Sequence, residues 1–195
     1  MALSGVQDSE ISLVNRIESS MSMSIKIRQF REVDRKCVAQ LFVDGFLSYP
    51  EHEGPMVEAF VGQSVEGDLA SIRDTYILPG GNFWVATTTL TSEHGELEKV
   101  IGMVALEKKK PNGDGELRRM AVGAAYRHYG IGKRLVAHLE QWARANKYLS
   151  ISLTTGEVMI AARRFYRTLG FEQTQKQVIS EDPYVAIFHL AKQLQ

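Results

Sequence analysis

Arg127, Lys133 and Arg134 place three cations around one turn that also holds Gly130 and Gly132. That combination suits an anion. Glycine lets backbone N–H groups approach a ligand with no Cβ in the way. The start of a helix adds N–H groups without intrahelical acceptors and the positive end of the helix dipole. Phosphate is the usual ligand of such a point. Two standard phosphate loops are excluded. A Walker loop would need glycine at 127 and serine or threonine at 134, and both positions are arginine. A dinucleotide fingerprint starting at Gly130 would need glycine or alanine at 135, which is Leu135. The residues alone leave two readings open, a phosphate grip or a tight turn with solvated cations. Upstream, Glu116 is the one carboxylate on the run 116–122 that leads into this turn.

Strand, loop and helix must follow in that order to aim these groups at one place. Residues 116–122 read as a strand and 123–130 as a polar loop. Ile131, Leu135, Val136, Leu139, Trp142 and Ala143 then recur at three- and four-residue spacing, which predicts an amphipathic helix ending near Asn146 or Lys147. Before them, residues 25–30 alternate apolar and charged side chains, the pattern of an edge strand. Residues 34–47 carry Val38, Leu41, Phe42 and Phe46 on one helical face, and Tyr49 and Pro50 break that helix. A second helical stretch lies between 56 and 72, interrupted near Gly62 and Gly67. Residues 83–89 and 100–106 read as strands, separated by a polar excursion over 90–98. The run 111–115 is a strong turn, so the strands flanking it form a hairpin. After the long helix, 149–153 alternates as a strand, 160–169 is helical with Gly170 to end it, and 171–178 and 184–190 are the last strands. The order is β-α-α-β-β-β-α-β-α-β-β. An antiparallel half leads into a β-α-β crossover, so the expected fold is α/β with a mixed, mostly antiparallel seven-stranded sheet flanked by helices.

Composition narrows the function classes. The chain has 195 residues, 44% hydrophobic and 24% charged, and is long enough for one domain with a sizeable core. We place a tail at 1–24, with a short helix around 11–17, and the domain at 25–195. Twenty-three cations balance twenty-three acids, so neither nucleic acid nor an anionic membrane surface is an expected partner. The single cysteine, Cys37, excludes an internal disulfide framework and fits a reducing compartment, so the cytoplasm is the expected location. Five scattered histidines and one cysteine give no zinc spacing, and no metal is expected. The longest uncharged run, 75–92, contains Pro79, Gly80, Gly81 and Asn82 and reads as a loop entering a strand, not a membrane span. The first two dozen residues lack the apolar core of a signal peptide, and Asp8, Glu10 and Glu18 argue against a transit peptide.

Arg127-His128-Tyr129-Gly130-Ile131-Gly132 resembles the R/Q-x-x-G-x-G/A motif of the GNAT superfamily of N-acetyltransferases, whose members use it to hold the pyrophosphate of acetyl-CoA. The block over 161–171, AARRFYRTLGF, is similar to the A-x-x-[LF]-Y-x-x-x-G-F segment after the fifth strand of these enzymes. The two motifs stand in the right order on the right elements, and the order of elements is that of the GNAT fold from Ile25 onward. ELRRMAV and AARRFYRTLGF look most like the camello-like branch, which includes animal N-acetyltransferase 8 relatives. Members of that branch usually carry a long hydrophobic segment that this sequence lacks. A second departure is Met159, where many members have an asparagine that contacts the cofactor.

The resemblance implies an acetyl-CoA-dependent N-acetyltransferase that passes the acetyl group directly to a primary amine. It assigns the backbone of Met120, Ala121 and Val122 to the pantetheine amides, with the Val122 N–H polarising the thioester carbonyl. It assigns Arg127, His128, Tyr129, Gly130, Ile131, Gly132 and Lys133 to the pyrophosphate. Glu116 is the implied general base, working through a water, and Tyr166 the implied acid beside the sulfur. Other readings stay open. Glu116 could be a hairpin-end carboxylate paired with Arg118 or a lysine, and Tyr166 could pack between helix and sheet with Phe165. A non-catalytic acyl-CoA-binding domain on the same fold is the alternative function. Arg118 and Arg119, adjacent on a strand, are expected on opposite faces. Lys108, Lys109 and Lys110 read as a solvated hairpin end, Trp84 and Trp142 as core, and Glu157 as a residue at the end of the fifth strand. Neither the amine acceptor nor the oligomeric state is written in the sequence.

Overall fold

The computed structural model describes residues 24–50, 52–92, 95–109 and 113–194. The expected tail up to residue 23 and its short helix lie outside these residues, as do positions 111 and 112 of the expected turn. Seven strands form one sheet in the order β1-β2-β3-β4-β5-β7-β6. They are β1 Ile25–Gln29, β2 Asn82–Ser92, β3 Gly95–Lys108, β4 Asp114–Val122, β5 Ser150–Gly156, β6 Glu172–Glu181 and β7 Tyr184–Gln193. Between them lie α1 Arg35–Phe46, α2 Pro55–Glu66, a π-helical turn at Arg73–Ile77, α3 Ile131–Ala145 and α4 Ile160–Thr168. All neighbouring strands run antiparallel except β4 and β5, which are parallel. The α/β fold with a mixed sheet is therefore as the sequence implies, and β1 lies at an edge.

Two cores sandwich the sheet. The apolar stripe of α3, with Ile131, Leu135, Val136, Leu139 and Ala143, buries against Trp84, Val104, Leu106, Leu117, Ile151 and Leu153. Tyr166 and Phe171, from α4 and its end, join the same cluster. On the other face, Val38 and Phe42 of α1 pack with Tyr76, Phe83, Val85, Met103 and Ala105. That second core takes its strand residues from β2, β3 and β4 and its flanking segments, with none from β5, β6 or β7 among the described residues. Trp84 is buried in the first core and Trp142 packs at its edge.

Two expectations need correction. Residues 90–98 are not a polar excursion: β2 runs to Ser92, β3 starts at Gly95, and Leu90 pairs with Leu97. Threonines suit a solvated two-stranded ribbon. Glu98 fastens it to β1, accepting from Thr87 Oγ1 at 3.0 Å and from Arg28 Nη2 at 2.8 Å. Of the two interruptions expected in the second helical stretch, the one at Gly67 is present and the one at Gly62 is not: α2 runs unbroken to Glu66, and the chain winds again at Arg73–Ile77.

Candidate active site

β4 and β5 pair over only three positions, Asp114 with Ser150, Gly115 with Ile151 and Glu116 with Ser152. Beyond Glu116 the strands part. The cause is in β4: pairing to β3 passes from Arg118 opposite Ala105 to Ala121 opposite Met103, so Arg119 and Met120 together face one residue, Val104. This is a β-bulge, which bends and twists its strand. Arg119 takes a positive φ of 53° to make it. Along the parted edge, the backbone groups of β4 that point away from β3 have no strand partner. Glu116 stands at the closed end of the gap, and Met120, Ala121 and Val122 along its open side.

The open end faces the start of α3. Gly130 is its cap, with φ of 74° and open space where a Cβ would be. Arg134 is the first residue to bond back, from its N–H to the Gly130 carbonyl at 3.1 Å. The N–H groups of Ile131, Gly132 and Lys133 thus have no intrahelical acceptor. Gly132 is needed for closeness as well: a Cβ there would stand 3.1 Å from Met120 Cε and 3.2 Å from Phe165 Cζ. One point therefore brings together the bulged strand, the helix start and α4. Arg127, His128 and Tyr129 are exposed on the loop. Arg127 donates from Nε to the Val122 carbonyl at 3.3 Å and reaches Ser48 Oγ at 3.4 Å, tying the loop to the segment after α1. Arg134 instead turns away, to the Ile25 carbonyl at 2.8 Å.

Tyr166 is buried, edge-on to Phe165 at 5.3 Å and to Phe171 at 5.7 Å between ring centres. Burial pushes its phenol above the ordinary tyrosine value, and Tyr49 adds to the rise. Tyr49 belongs to a ring cluster that continues through His52 at 5.2 Å, Phe46 at 4.1 Å from His52, and Phe60 at 5.0 Å from Phe46. Met159 caps α4 without any side-chain hydrogen bond. Near this helix start two buried polar atoms have no partner in the structure, Thr155 Oγ1 and Arg163 Nε. Arg163 Nη2 donates to the Glu157 carbonyl at 2.9 Å, and its guanidinium lies over the ring of Phe188, the β7 residue that pairs with Thr155.

Glu116 has a lysine partner: Lys109 Nζ lies 2.8 Å from Glu116 Oε2 and 3.0 Å from Glu107 Oε1. Glu107 in turn receives Arg118 Nη1 at 2.5 Å. Burial opposes the Glu107 charge, but Arg118 and Lys109 outweigh it and hold the carboxyl below its usual range. Lys109 is therefore no solvated hairpin end. Nor do Arg118 and Arg119 lie on opposite faces. The bulge breaks the alternation, and both guanidinium groups act on one carboxylate, Asp68, which follows α2. Arg119 holds it from Nε at 2.8 Å and Nη2 at 2.5 Å. Asp68 and Tyr76, which donates its hydroxyl to Asp68, carry no motif that a sequence reading could find. Glu157 pairs with Lys176 at 2.7 Å and does not enter the gap.

A parted parallel pair, a bulged strand and a glycine-started helix aimed at the gap make up the candidate site. Residues 51–171 match the model of the Acetyltransferase (GNAT) family. More than half of the chain is covered, and the chain belongs to that family. It is similar to "N-acetyltransferase family 8 member 2" of Rattus norvegicus, 34% identical over 62% of this chain and 52% of that protein. "N-acetylaspartate synthetase" of Xenopus tropicalis is 35% identical over 70% of this chain and 47% of that protein. The chain thus spans about half the length of these curated relatives. Among solved structures, the PaiA N-acetyltransferase of Thermoplasma acidophilum in complex with coenzyme A superposes with a TM-score of 0.68. It is 20% identical, covering 88% of this chain and 99% of that one. A GNAT-family acetyltransferase of Staphylococcus aureus Mu50 gives a TM-score of 0.67 at 19% identity, over 88% of this chain and all of that one. Among the described residues, no helix is long and apolar enough to cross a membrane.

Proposed function

We propose that the chain transfers an acetyl group from acetyl-CoA directly to a primary amine. The observation that carries this reading is the gap between β4 and β5, closed at Glu116 and opening onto the free N–H groups of Ile131, Gly132 and Lys133. The names of the curated relatives and the coenzyme A bound to the PaiA enzyme support it. The acetyl group and the thiol leaving group come with acetyl-CoA; the protein supplies grip, orientation and proton handling.

The three N–H groups and the exposed side chains of Arg127 and Lys133 hold the pyrophosphate, with His128 and Tyr129 shaping the loop through their backbone. The parted edge at Met120, Ala121 and Val122 completes itself by hydrogen-bonding to an extended chain, a form of strand addition. The N–H of Val122 polarises the carbonyl to be attacked. A primary amine resembling lysine has a pKa near 10.4, so at pH 7 keeping it neutral costs roughly 4–5 kcal/mol. Glu116 takes that proton, through a water, after its pairing with Lys109 yields to the incoming ammonium.

Tyr166 is protonated at neutral pH, as an ordinary tyrosine is, and burial moves its phenol further from ionising. It therefore stabilises a departing thiolate by donating a hydrogen bond. Complete transfer of the proton to a thiolate, whose ordinary pKa is about 8.5, runs uphill. The zero net charge and single cysteine fit a cytoplasmic setting. The deciding experiment measures thiol release from acetyl-CoA with a panel of primary amines. Turnover that Glu116→Gln and Tyr166→Phe abolish, while coenzyme A still binds, supports the enzyme. Tight coenzyme A binding without turnover on any amine supports the non-catalytic acyl-CoA-binding domain instead.

A further inference from the structure

Arg119 has an unusual backbone. It is a non-glycine residue at a φ of 53°, a region that costs an L side chain steric strain. A bulge of this kind is commonly served by glycine. Here something else must hold it. The Arg119 side chain is only 7% exposed and is gripped at both Nε and Nη2 by Asp68. Its guanidinium lies over the Phe42 ring at 4.6 Å. Asp68 Oδ2, which accepts from Arg119 Nε, also accepts from the hydroxyl of Tyr76, a fully buried residue. Burial works against the Asp68 charge, yet Arg119 and Tyr76 keep the carboxyl below its usual range. None of these three partners is on β4. Asp68, Tyr76 and Phe42 all come from the helical segment between β1 and β2.

We infer that Asp68 is a positioning residue for acetyl-CoA: through Arg119 it holds the bulge that parts β4 from β5 and so keeps the slot between them open. The inference rests on the reading that acetyl-CoA lies in that slot. Its logic is geometric. The strained residue is three positions beyond the last β4–β5 pair. Should the clamp release, Arg119 can relax to extended backbone, and β4 regains the straight path that would bring its free edge toward β5. The segment that flanks the acceptor side would then control the fit of the cofactor, although it need not touch it.

Glycine at 119 provides the discriminating test, because glycine adopts this φ without a Cβ clash and needs no clamp. Asp68→Asn keeps the size of the side chain and an acceptor for Tyr76 but loses the charge pair. It is expected to raise KM for acetyl-CoA about tenfold, the scale of releasing one strained residue, with kcat changed less than about threefold. Adding Arg119→Gly to Asp68→Asn is expected to return that KM to within about twofold of wild type. A merely structural ion pair predicts the opposite: the second substitution removes more packing, melting temperature falls further, and KM does not recover. That result overturns the inference. If Asp68→Asn does not fold, Tyr76→Phe carries the test. It leaves the ion pair and removes one support of Asp68, and a rise in KM of about two- to threefold is expected, an unchanged KM overturning the clamp. Wild-type protein that binds no acetyl-CoA in calorimetry overturns both this inference and the slot reading. Wild-type binding with an unaltered KM in every Asp68 and Tyr76 variant overturns this inference alone.

Discussion

The two walls of the gap are built differently. The β4 wall is charged and braced from outside its own strand. Arg118, Glu107, Lys109 and Glu116 form a chain of alternating ion pairs along it, and Asp68 reaches in from beyond α2. The β5 wall shows Ser152 and Thr154, small and uncharged, toward the side of α1. It needs no bracing because seven consecutive residues, Ser150–Gly156, pair with β7. One wall is therefore a regular ladder, and the other a bulged strand, paired with β3 and braced at its bulge by side chains. The proposed chemistry gathers on the bent one. A bulge bends its strand and re-aims side chains, while a regular ladder keeps them in strict alternation.

The contrast gives an ordered set of expected effects. Glu116→Gln strikes the β4 wall at its closed end and is expected to lower kcat about 10²- to 10³-fold, the usual size for a lost general base, with coenzyme A affinity retained. Steady-state kinetics beside calorimetry checks it. Gly132→Val places two methyl groups where Met120 and Phe165 already approach. It is expected to raise KM for acetyl-CoA about tenfold, since the Met120 and Phe165 side chains on both sides of the grip must shift. Arg127→Ala removes one exposed cation. A rise of about three- to fivefold in KM is expected, shrinking as salt is added, because an exposed charge is screened. Ser152→Ala, on the β5 wall, deletes a hydroxyl that donates to the Gly115 carbonyl at 3.2 Å. Kinetic constants within about twofold of wild type are expected from so exposed a bond. A loss on Ser152→Ala equal to that on Glu116→Gln would erase the distinction between the walls.

The braces also carry a pH signature, the smallest effect of the set. Asp68 and Glu107 are held below their usual carboxylate range in the folded protein. The unfolded chain therefore binds their protons first as pH falls. Their contribution is fully present above the ordinary values near 4 and is lost as pH drops through the lower folded values. Glu98, brought to about 2 chiefly by Arg28, behaves alike at the β1 edge, though exposure and screening shrink its share. Melting temperature is expected to fall below pH 4, and Glu107→Gln to flatten that fall. A melting temperature independent of pH between 5 and 3 contradicts the bracing.

Much of this was legible in the chain itself. The stripe from Ile131 to Ala143 announces α3 and Gly130 its start, while of the three cations expected around that turn Arg134 points instead to the Ile25 carbonyl. Those signals are local, set by spacing within one element. The bulge was not legible, because its usual mark is absent: an arginine occupies the positive φ, and the partner that permits it lies 51 positions away in sequence. The same distance hid Asp68 and Tyr76. Local alternation misplaced Arg118 and Arg119 for the same reason, since it assumes an unbroken ladder. The long β2–β3 ribbon was missed because its threonines and acids look like loop until Arg28 and Thr87 are brought onto Glu98.

The central claim concerns where a diphosphate is gripped, and backbone amide NMR during titration with acetyl-CoA reads it directly. The account predicts saturable shifts concentrated at the amides of 128–133 and of 120–122, present with coenzyme A and absent with ATP or NAD. Unmoved amides at 128–133, or shifts centred elsewhere in the chain, would contradict it.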